Sequence, residues 1–542
     1  MEHRLDNYWH PRNLGRFVLK HPSISCLLPA VLVVGLRLSL LSYLPIPEPQ
    51  IHDEFSYLLG ADTFASGRLT NPPHPMWVHF ETLHVNQQPT YASKYPPGQS
   101  LLLALGQTLF GHPWYGVLMG LGMMCASIGW MLQGWLPRKY ALLGSLLAIL
   151  QFGVSSYWVN SYWGGALSAT GGALVLGSLA RLARRTSVSA SLLGAFGIAL
   201  LANTRPYEGL ILTVACVGVL LWWRHKTGRP WVALFKARVI LPAAIVLSAT
   251  GIWMGYYNYR VTGKPWLMPY VVNQRAYAAT PQFWMLPAGT PPTYRHEILR
   301  KFWVKGDGDP YLDARAHPLR LVIVLILVFL GSYTFPLLEF AAMALMLAPT
   351  RKVCIALAIN GAVAAGLLLE KGLAPHYYAP VTGLILFLAA SGARSVLKFF
   401  RGRSMRTLMK ATLAGLFLIV FTIEIVNAAS DLLSSQDRMK GGDFAGYAVS
   451  RRSIVDSLLR QGKRHLVIVK YEPDHHKAPE WVYNKADIDA SDIVWARDMG
   501  YAGNSELINY YRDREAWLLE ADADPPRLSR YAIAPTQTPG AF

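Results

Sequence analysis

Of the 542 residues, 52% are hydrophobic and only 15% are charged, against roughly 25% charged in soluble domains, so the chain lacks the polar side chains a water-exposed surface needs. The net charge of +19 does not indicate a nucleic-acid binder. The cations flank apolar runs, where the positive-inside rule collects them, and no basic tract interleaved with aromatics stands apart from those runs. The four cysteines, Cys26, Cys125, Cys216 and Cys354, fall in apolar segments without metal-site spacing and read as small buried hydrophobes.

The N-terminal segment carries Arg4, Arg12, Arg16 and Lys20 ahead of an apolar run from Ile24 to Leu44. A cleaved signal has a shorter apolar core and small residues at the cut. This run is long and ends Tyr43-Leu44-Pro45-Ile46-Pro47, so it reads as an uncleaved first span. Further spans are predicted at 113–136, 140–158, 163–183, 190–204, 208–223, 237–258, 319–347, 353–370, 376–393 and 409–428, giving an all-α polytopic membrane protein of about eleven transmembrane helices. With the N-terminus cytoplasmic, Arg138-Lys139, Arg181 with Arg184-Arg185, the run Arg224 to Arg238, Arg351-Lys352 and the run Arg394 to Lys410 all fall on the cytoplasmic side. One more crossing would break that agreement. The short apolar stretch 98–111 is therefore read as a helix lying in the interface or entering only partway.

This topology sends 45–112, the turn Tyr157 to Gly165, the loop 259–318 and everything after about 429 outward. Short turns at Asn203 to Gly209 and Glu370 to Pro380 join them, so polar residues from all of these can meet in one cavity. The chain divides into a transmembrane domain, 1–429, and a small extracytoplasmic α/β domain, 430–542. In the latter His465 to Tyr471 and Glu515 to Glu520 read as strands and Ser505 to Tyr511 as a helix. No internal repeat of 20–50 residues stands out.

The first outer loop holds the strongest chemical signal. It opens with His52-Asp53-Glu54 just past the first span and closes with Tyr91-Ala92-Ser93-Lys94-Tyr95-Pro96-Pro97-Gly98. An acidic pair at a membrane surface is also what a helix N-terminus favours. A second charged turn, Ala202-Asn203-Thr204-Arg205-Pro206-Tyr207-Glu208-Gly209, lies between two apolar runs. An arginine at mid-bilayer costs about 2.5–3.5 kcal/mol on insertion scales and persists only with a partner or a wet cavity. Arg205 either pairs with Glu208 to close a hairpin or offers its planar fork to phosphate. A late span opens Pro375-His376-Tyr377-Tyr378-Ala379-Pro380; His376 and Tyr377 are either interfacial aromatic-belt residues or substrate contacts.

These elements resemble the GT-C glycosyltransferases, in particular the branch of protein O-mannosyltransferases and lipid A aminoarabinose transferases. That family has a first span, an outer loop bearing an acidic pair and ending in a Pro-Pro turn, and many further spans. Its members often place His or Lys directly before Pro-Pro; here Tyr95 stands between Lys94 and Pro96. The resemblance covers residues 1 to about 400. It implies an inverting transferase that moves a sugar from a polyprenyl-phosphate carrier to an extracytoplasmic lipid, glycan or protein acceptor at a bacterial inner membrane. Asp53 is then the general base and Glu54 orients it or binds a metal. Lys94, Tyr95, Arg205, His376 and Tyr377 contact substrate.

The chemistry agrees with that set. The departing phosphate is a stable anion and needs cations more than a proton donor, while the incoming hydroxyl gains about 10²–10⁴-fold from a positioned base. A divalent metal is a candidate cofactor, although His74, His79 and His84, spaced by five around Pro75, match neither a helix face nor one side of a strand. No Gly-rich phosphate loop opens a helix, which argues against direct nucleotide use. A transporter or flippase of lipid-linked saccharides would instead show paired half-helices in two repeated halves and charges deep in several spans. A non-catalytic assembly protein would tolerate replacement of Asp53.

Overall fold

The computed structural model describes residues 11–333, 335–347, 349–399, 444–473 and 480–532, with the single residues 412, 422 and 475. Five described helices are long and apolar enough to cross a bilayer: Pro22–Ser39, Trp114–Trp135, Pro206–Lys226, Ala237–Thr262 and Pro375–Phe399. The chain is a multi-pass membrane protein. A sixth crossing results if Glu297–Ala316 and Pro318–Ser332, bent by 117°, form one span.

Helices also occupy the other described positions where spans were expected. Arg138–Phe152, Ala166–Leu182, Val188–Ala202 and Arg351–Leu367 have 15, 17, 15 and 17 residues. They rise only about 22–26 Å, short of the roughly 30 Å hydrocarbon core, so fewer helices than the expected eleven meet the crossing criterion among the described residues. The expected span 319–347 is two helices, Pro318–Ser332 and Phe335–Leu347, because Pro336 fits a first turn and not a helix interior. The first helix stops at Ser39, not Leu44. Arg37, fully buried, donates to Leu44 O at 2.7 Å and Pro45 O at 3.2 Å and folds that segment back. The eleventh expected span, 409–428, lies outside the described residues apart from Thr412 and Thr422.

The stretch expected to lie at the interface is the helix Pro97–Phe110. Its Leu101, Leu105 and Leu109 face outward, and its inner face packs on the helices His52–Ala65 and Trp114–Trp135. A Cβ at Gly106 would stand 2.1 Å from Gly116 N, so only glycine permits that contact.

Beyond the membrane helices, residues 444–531 build a four-stranded mixed sheet. The strands are β3 (His465–Lys470), β4 (Ile493–Arg497), β5 (Glu515–Glu520) and β6 (Arg527–Arg530), in the order β4-β3-β5-β6; β1 (Val85–Asn86) and β2 (Ala92–Ser93) form a separate short ladder in the first outer loop. β3 runs parallel to both neighbours, with His465 opposite Ile493 and Glu515, and β6 is antiparallel to β5. The central strand is buried from His465 to Val469, as a parallel strand covered on both faces must be. Its core is continuous with the segment after the first span: Phe55, Leu59, Phe80, Val85 and Tyr91 pack with Leu466, Ile468, Trp495 and Leu519. Phe55 stacks on Tyr483 with ring centroids 4.5 Å apart.

Candidate functional site

The first outer loop turns into the helix His52–Ala65, whose first turn carries both acidic residues. Successive helical residues are rotated by about 100°, so the two carboxylates part company. Glu54 turns inward and is buried. Its carboxylate accepts the backbone N–H groups of Gln50 at 2.6 Å, Ile51 at 3.2 Å and Tyr162 at 3.0 Å. The Gln50 and Ile51 bonds are the reach-back half of a capping box, and the Tyr162 bond ties the helix to the turn after Arg138–Phe152. The expectation that Glu54 orients Asp53 or holds a metal gives way to this anchoring. Burial pushes the Glu54 carboxyl up to about 7 against those three N–H bonds.

Asp53 faces the other way, into a cavity of about 510 Å³. Tyr95 donates its hydroxyl to Asp53 Oδ1. His52 Nδ1 lies 2.8 Å from Oδ2 and His84 Nε2 3.9 Å from Oδ1. Burial raises the Asp53 carboxyl, but the two imidazoles and the Lys94 ammonium outweigh it and hold the group well below the usual carboxylate range. Tyr95, buried beside that carboxylate, is held well above its ordinary value and stays a donor.

His84 reaches Asp53 through a left-handed backbone, φ 63°, which is uncommon for a residue with a Cβ. Its carbonyl fixes that turn by accepting from Ser56 Oγ at 2.7 Å and Lys94 N at 3.2 Å. Burial and the Lys94 charge push its imidazole well below its ordinary value. Its Nδ1 is buried without a hydrogen-bond partner. The other two histidines of the series go elsewhere: His74 pairs with Asp489 at 3.0 Å and His79 lies 3.5 Å from Arg497 O.

Lys94, directly after the short strand β2, is 5% exposed. Its ammonium lies 5.1–5.4 Å from the ring centroids of Tyr95, Tyr270 and Trp303. It has no ion-pair partner within 4.0 Å among the described residues. Burial pushes it down to about 8, against the upward pull of Asp53 and Asp307. Trp303 comes from a π-helical turn, Lys301–Gly306, within the segment 259–318, and such turns recur at functional sites.

Arg205 precedes the helix Pro206–Lys226 and also lines this cavity. It makes the expected pair with Glu208, Nη1 lying 3.6 Å from that carboxylate, and its guanidinium sits 4.3 Å from the Tyr377 ring centroid. Tyr377 and His376 enter on the turn Pro375–Val381, which seats against Ala166–Leu182 where a Cβ at Gly172 would meet Pro380 O at 1.9 Å. His376 is buried, 3.2 Å from the Tyr157 hydroxyl.

Asp53, Lys94, Tyr95, Arg205, His376 and Tyr377 thus share one cavity, and Glu54 stands outside it. Residues that were not anticipated complete the wall. Asp307 lines it while paired with Lys371 at 2.5 Å, and Glu370 lines it while accepting from Gln282 at 2.7 Å, with its second oxygen buried and unpartnered. The adjacency Glu370-Lys371 at a span end was the available sequence signal.

His52, Asp53 and His84 offer three ligand atoms within 4.8 Å of one another. Two imidazoles and a carboxylate suit a divalent ion of borderline softness, and the orphaned His84 Nδ1 lets that ring present either nitrogen, so these residues fit a metal.

No protein-family model matches the sequence, and no curated protein matches it. Solved structures do. The oligosaccharyltransferase of Archaeoglobus fulgidus in complex with Zn and sulfate is 10% identical, with 91% of this chain and 67% of that chain covered and a TM-score of 0.50. ArnT from Cupriavidus metallidurans in the apo state is 15% identical over 90% of this chain and 92% of that one, TM-score 0.49. ArnT bound to undecaprenyl phosphate is 16% identical over 80% and 72%, TM-score 0.45. The chain shares its overall fold with the Archaeoglobus fulgidus oligosaccharyltransferase.

Proposed function

We propose that this protein is a glycosyltransferase that takes its sugar from a polyprenyl-phosphate carrier and passes it to an extracytoplasmic acceptor. The observation that carries the reading is one cavity holding an ionised carboxylate, Asp53, together with two cations, Lys94 and Arg205. The cavity is walled partly by membrane helices, with Met254 and Tyr257 from Ala237–Thr262 and Glu208 from Pro206–Lys226. That placement suits a donor whose lipid stays in the bilayer while its phosphate enters the cavity.

The acceptor hydroxyl oxygen attacks the anomeric carbon. The bond from that carbon to the phosphate oxygen breaks, and its electron pair leaves with the phosphate. The hydroxyl proton passes to Asp53. Lys94 and Arg205 hold the charge that grows on the leaving phosphate, where a preorganised cation in a dry site acts most strongly. Tyr95 fixes the carboxylate, and a single displacement inverts the anomeric centre. His376 and Tyr377 shape the donor side, with Tyr377 positioning the Arg205 guanidinium. A divalent ion held by His52, Asp53 and His84 would supply Lewis-acid charge to the same phosphate. The active site then faces the periplasm of a bacterial inner membrane, with the N-terminus cytoplasmic and 430–542 as the outer domain.

The test is mass spectrometry of surface glycans and lipids from cells lacking the protein, complemented with wild type or Asp53→Asn. Loss of one sugar, restored only by wild type, is expected. An unchanged profile, or full rescue by Asp53→Asn expressed in the membrane, overturns the reading. Metal analysis of purified wild type and His84→Ala addresses the ion separately.

A further inference from the structure

The helices that wall the outer cavity close a second one at their other ends. Pro206 lines the first cavity and Trp223 the second; seventeen residues of helix separate them, about 26 Å. His376 begins the segment Pro375–Phe399 at the first cavity, and Arg394 and Lys398 close it at the second. The two hollows therefore stand at opposite faces of a bilayer whose core is roughly 30 Å thick.

The second cavity measures about 820 Å³, within the roughly 300–1,000 Å³ of small-molecule sites. Four cations, Arg351, Lys352, Arg394 and Lys398, converge on it, and no Asp or Glu is among its described lining residues. Lys352 is partly used, donating to Trp135 O at 2.5 Å. Arg394 lies 5.7 Å from the Tyr140 ring centroid. Arg351, Arg394 and Lys398 have no ion pair with any described residue. Arg351 and Lys352 form the first turn of Arg351–Leu367, with Thr350 as its cap, and a helix N-terminus favours an anion. The Ser391 hydroxyl, on a residue only 9% exposed, lines the same hollow and has no hydrogen-bond partner among the described residues. The positive-inside rule accounts for cations at this face. It does not account for their gathering round a concave, carboxylate-free space beside Trp223 and the exposed Phe399.

We propose that this cavity binds the phosphate of an anionic phospholipid headgroup. Arg351 and Arg394 grip the phosphate, Ser391 donates to it, and the aromatic rim sits at the acyl–headgroup boundary. Its depth at one membrane face is where a lipid phosphate lies and where basic pockets between spans recognise acidic headgroups. The inference is independent of the chemistry assigned to the outer cavity.

The full chain, purified in neutral detergent and stripped of lipid, is incubated with phosphatidylglycerol or phosphatidylcholine and examined by native mass spectrometry. Wild type is expected to retain phosphatidylglycerol over phosphatidylcholine, and R351Q/R394Q to retain it about tenfold less or weaker still. K398Q removes one charge of the four rather than two, so it is a milder variant for which a smaller loss in the same direction is expected. Equal retention of both lipids, or retention unchanged in R351Q/R394Q and K398Q, overturns the proposal. Inorganic phosphate is the third arm. If it displaces the lipid at millimolar concentration and protects the protein equally well, the ligand is a soluble anion and the lipid assignment fails.

Discussion

The two cavities at opposite ends of the same helices differ in their charge pattern. The cavity around Asp53 mixes signs: Asp53, Glu208, Asp307 and Glu370 line it together with Lys94 and Arg205. Among the described lining residues of the far one, the charged groups are all cations. Chemistry that moves a proton and a phosphate needs a base and cations held apart in one space, because a carboxylate in full contact with a cation is neutralised. In the outer cavity Lys371 is paired with Asp307 and Arg205 with Glu208, while Lys94 is left facing an aromatic wall. A site that only holds an anion needs one sign, and that is the arrangement at the other face.

Removing the base breaks the contrast most sharply. Asp53→Asn is expected to lower sugar transfer by about 10²–10⁴-fold, measured with a labelled polyprenyl-phosphate donor and purified protein, while anionic-lipid retention at the far cavity stays as in wild type. A variant that transfers sugar at the wild-type rate would remove the distinction between the two spaces.

The Lys94 charge comes next. Lys94→Gln is expected to cost about 10²-fold in kcat/KM, the scale of one preorganised stabilising group. The pH profile carries a sign. Burial depresses the Lys94 ammonium to about 8, so the free enzyme loses that charge as pH rises through about 8, and kcat/KM should fall there. Lys94→Arg should keep its charge and move the fall to higher pH. A profile identical in wild type and Lys94→Arg would assign the titration to another group.

Glu54 sharpens the comparison within a single dipeptide. Glu54→Gln replaces a two-oxygen acceptor of three backbone N–H groups with a one-oxygen amide and is expected to destabilise by about 1–3 kcal/mol, seen as a lower thermal midpoint. Transfer per folded molecule should change far less than for Asp53→Asn. The smallest effect is expected from R351Q/R394Q assayed in neutral detergent: transfer within about twofold of wild type, since sites this far apart act independently.

Much of the site was readable along the chain. Asp53, Lys94, Tyr95, Arg205, His376 and Tyr377 all stand at span ends or in the loop after the first span, where hydropathy and a few charges single them out, and all line one cavity. His52 was visible only as a neighbour of Asp53. His84 was visible only as one of three histidines with no useful spacing, since its alignment with Asp53 depends on a left-handed turn. Trp303 and Tyr270, which face Lys94, come from short helices, Lys301–Gly306 and Pro269–Tyr277, inside the inter-span segment 259–318, too short for hydrophobic periodicity to single them out.

Sequence by itself determined the membrane class, the positions of the apolar helices and the loops where the charged residues gather, because hydropathy and helix breaking are local properties. Tertiary structure alone decided that Asp53 faces the cavity while Glu54 anchors a backbone. It also decided that the sheet at residues 465–530 shares its core with the loop after the first span, and that cations from two separate helices close one hollow at the far face. Those outcomes depend on contacts between residues tens to hundreds of positions apart, and a local pattern of apolar and charged residues does not encode which distant partner each side chain meets.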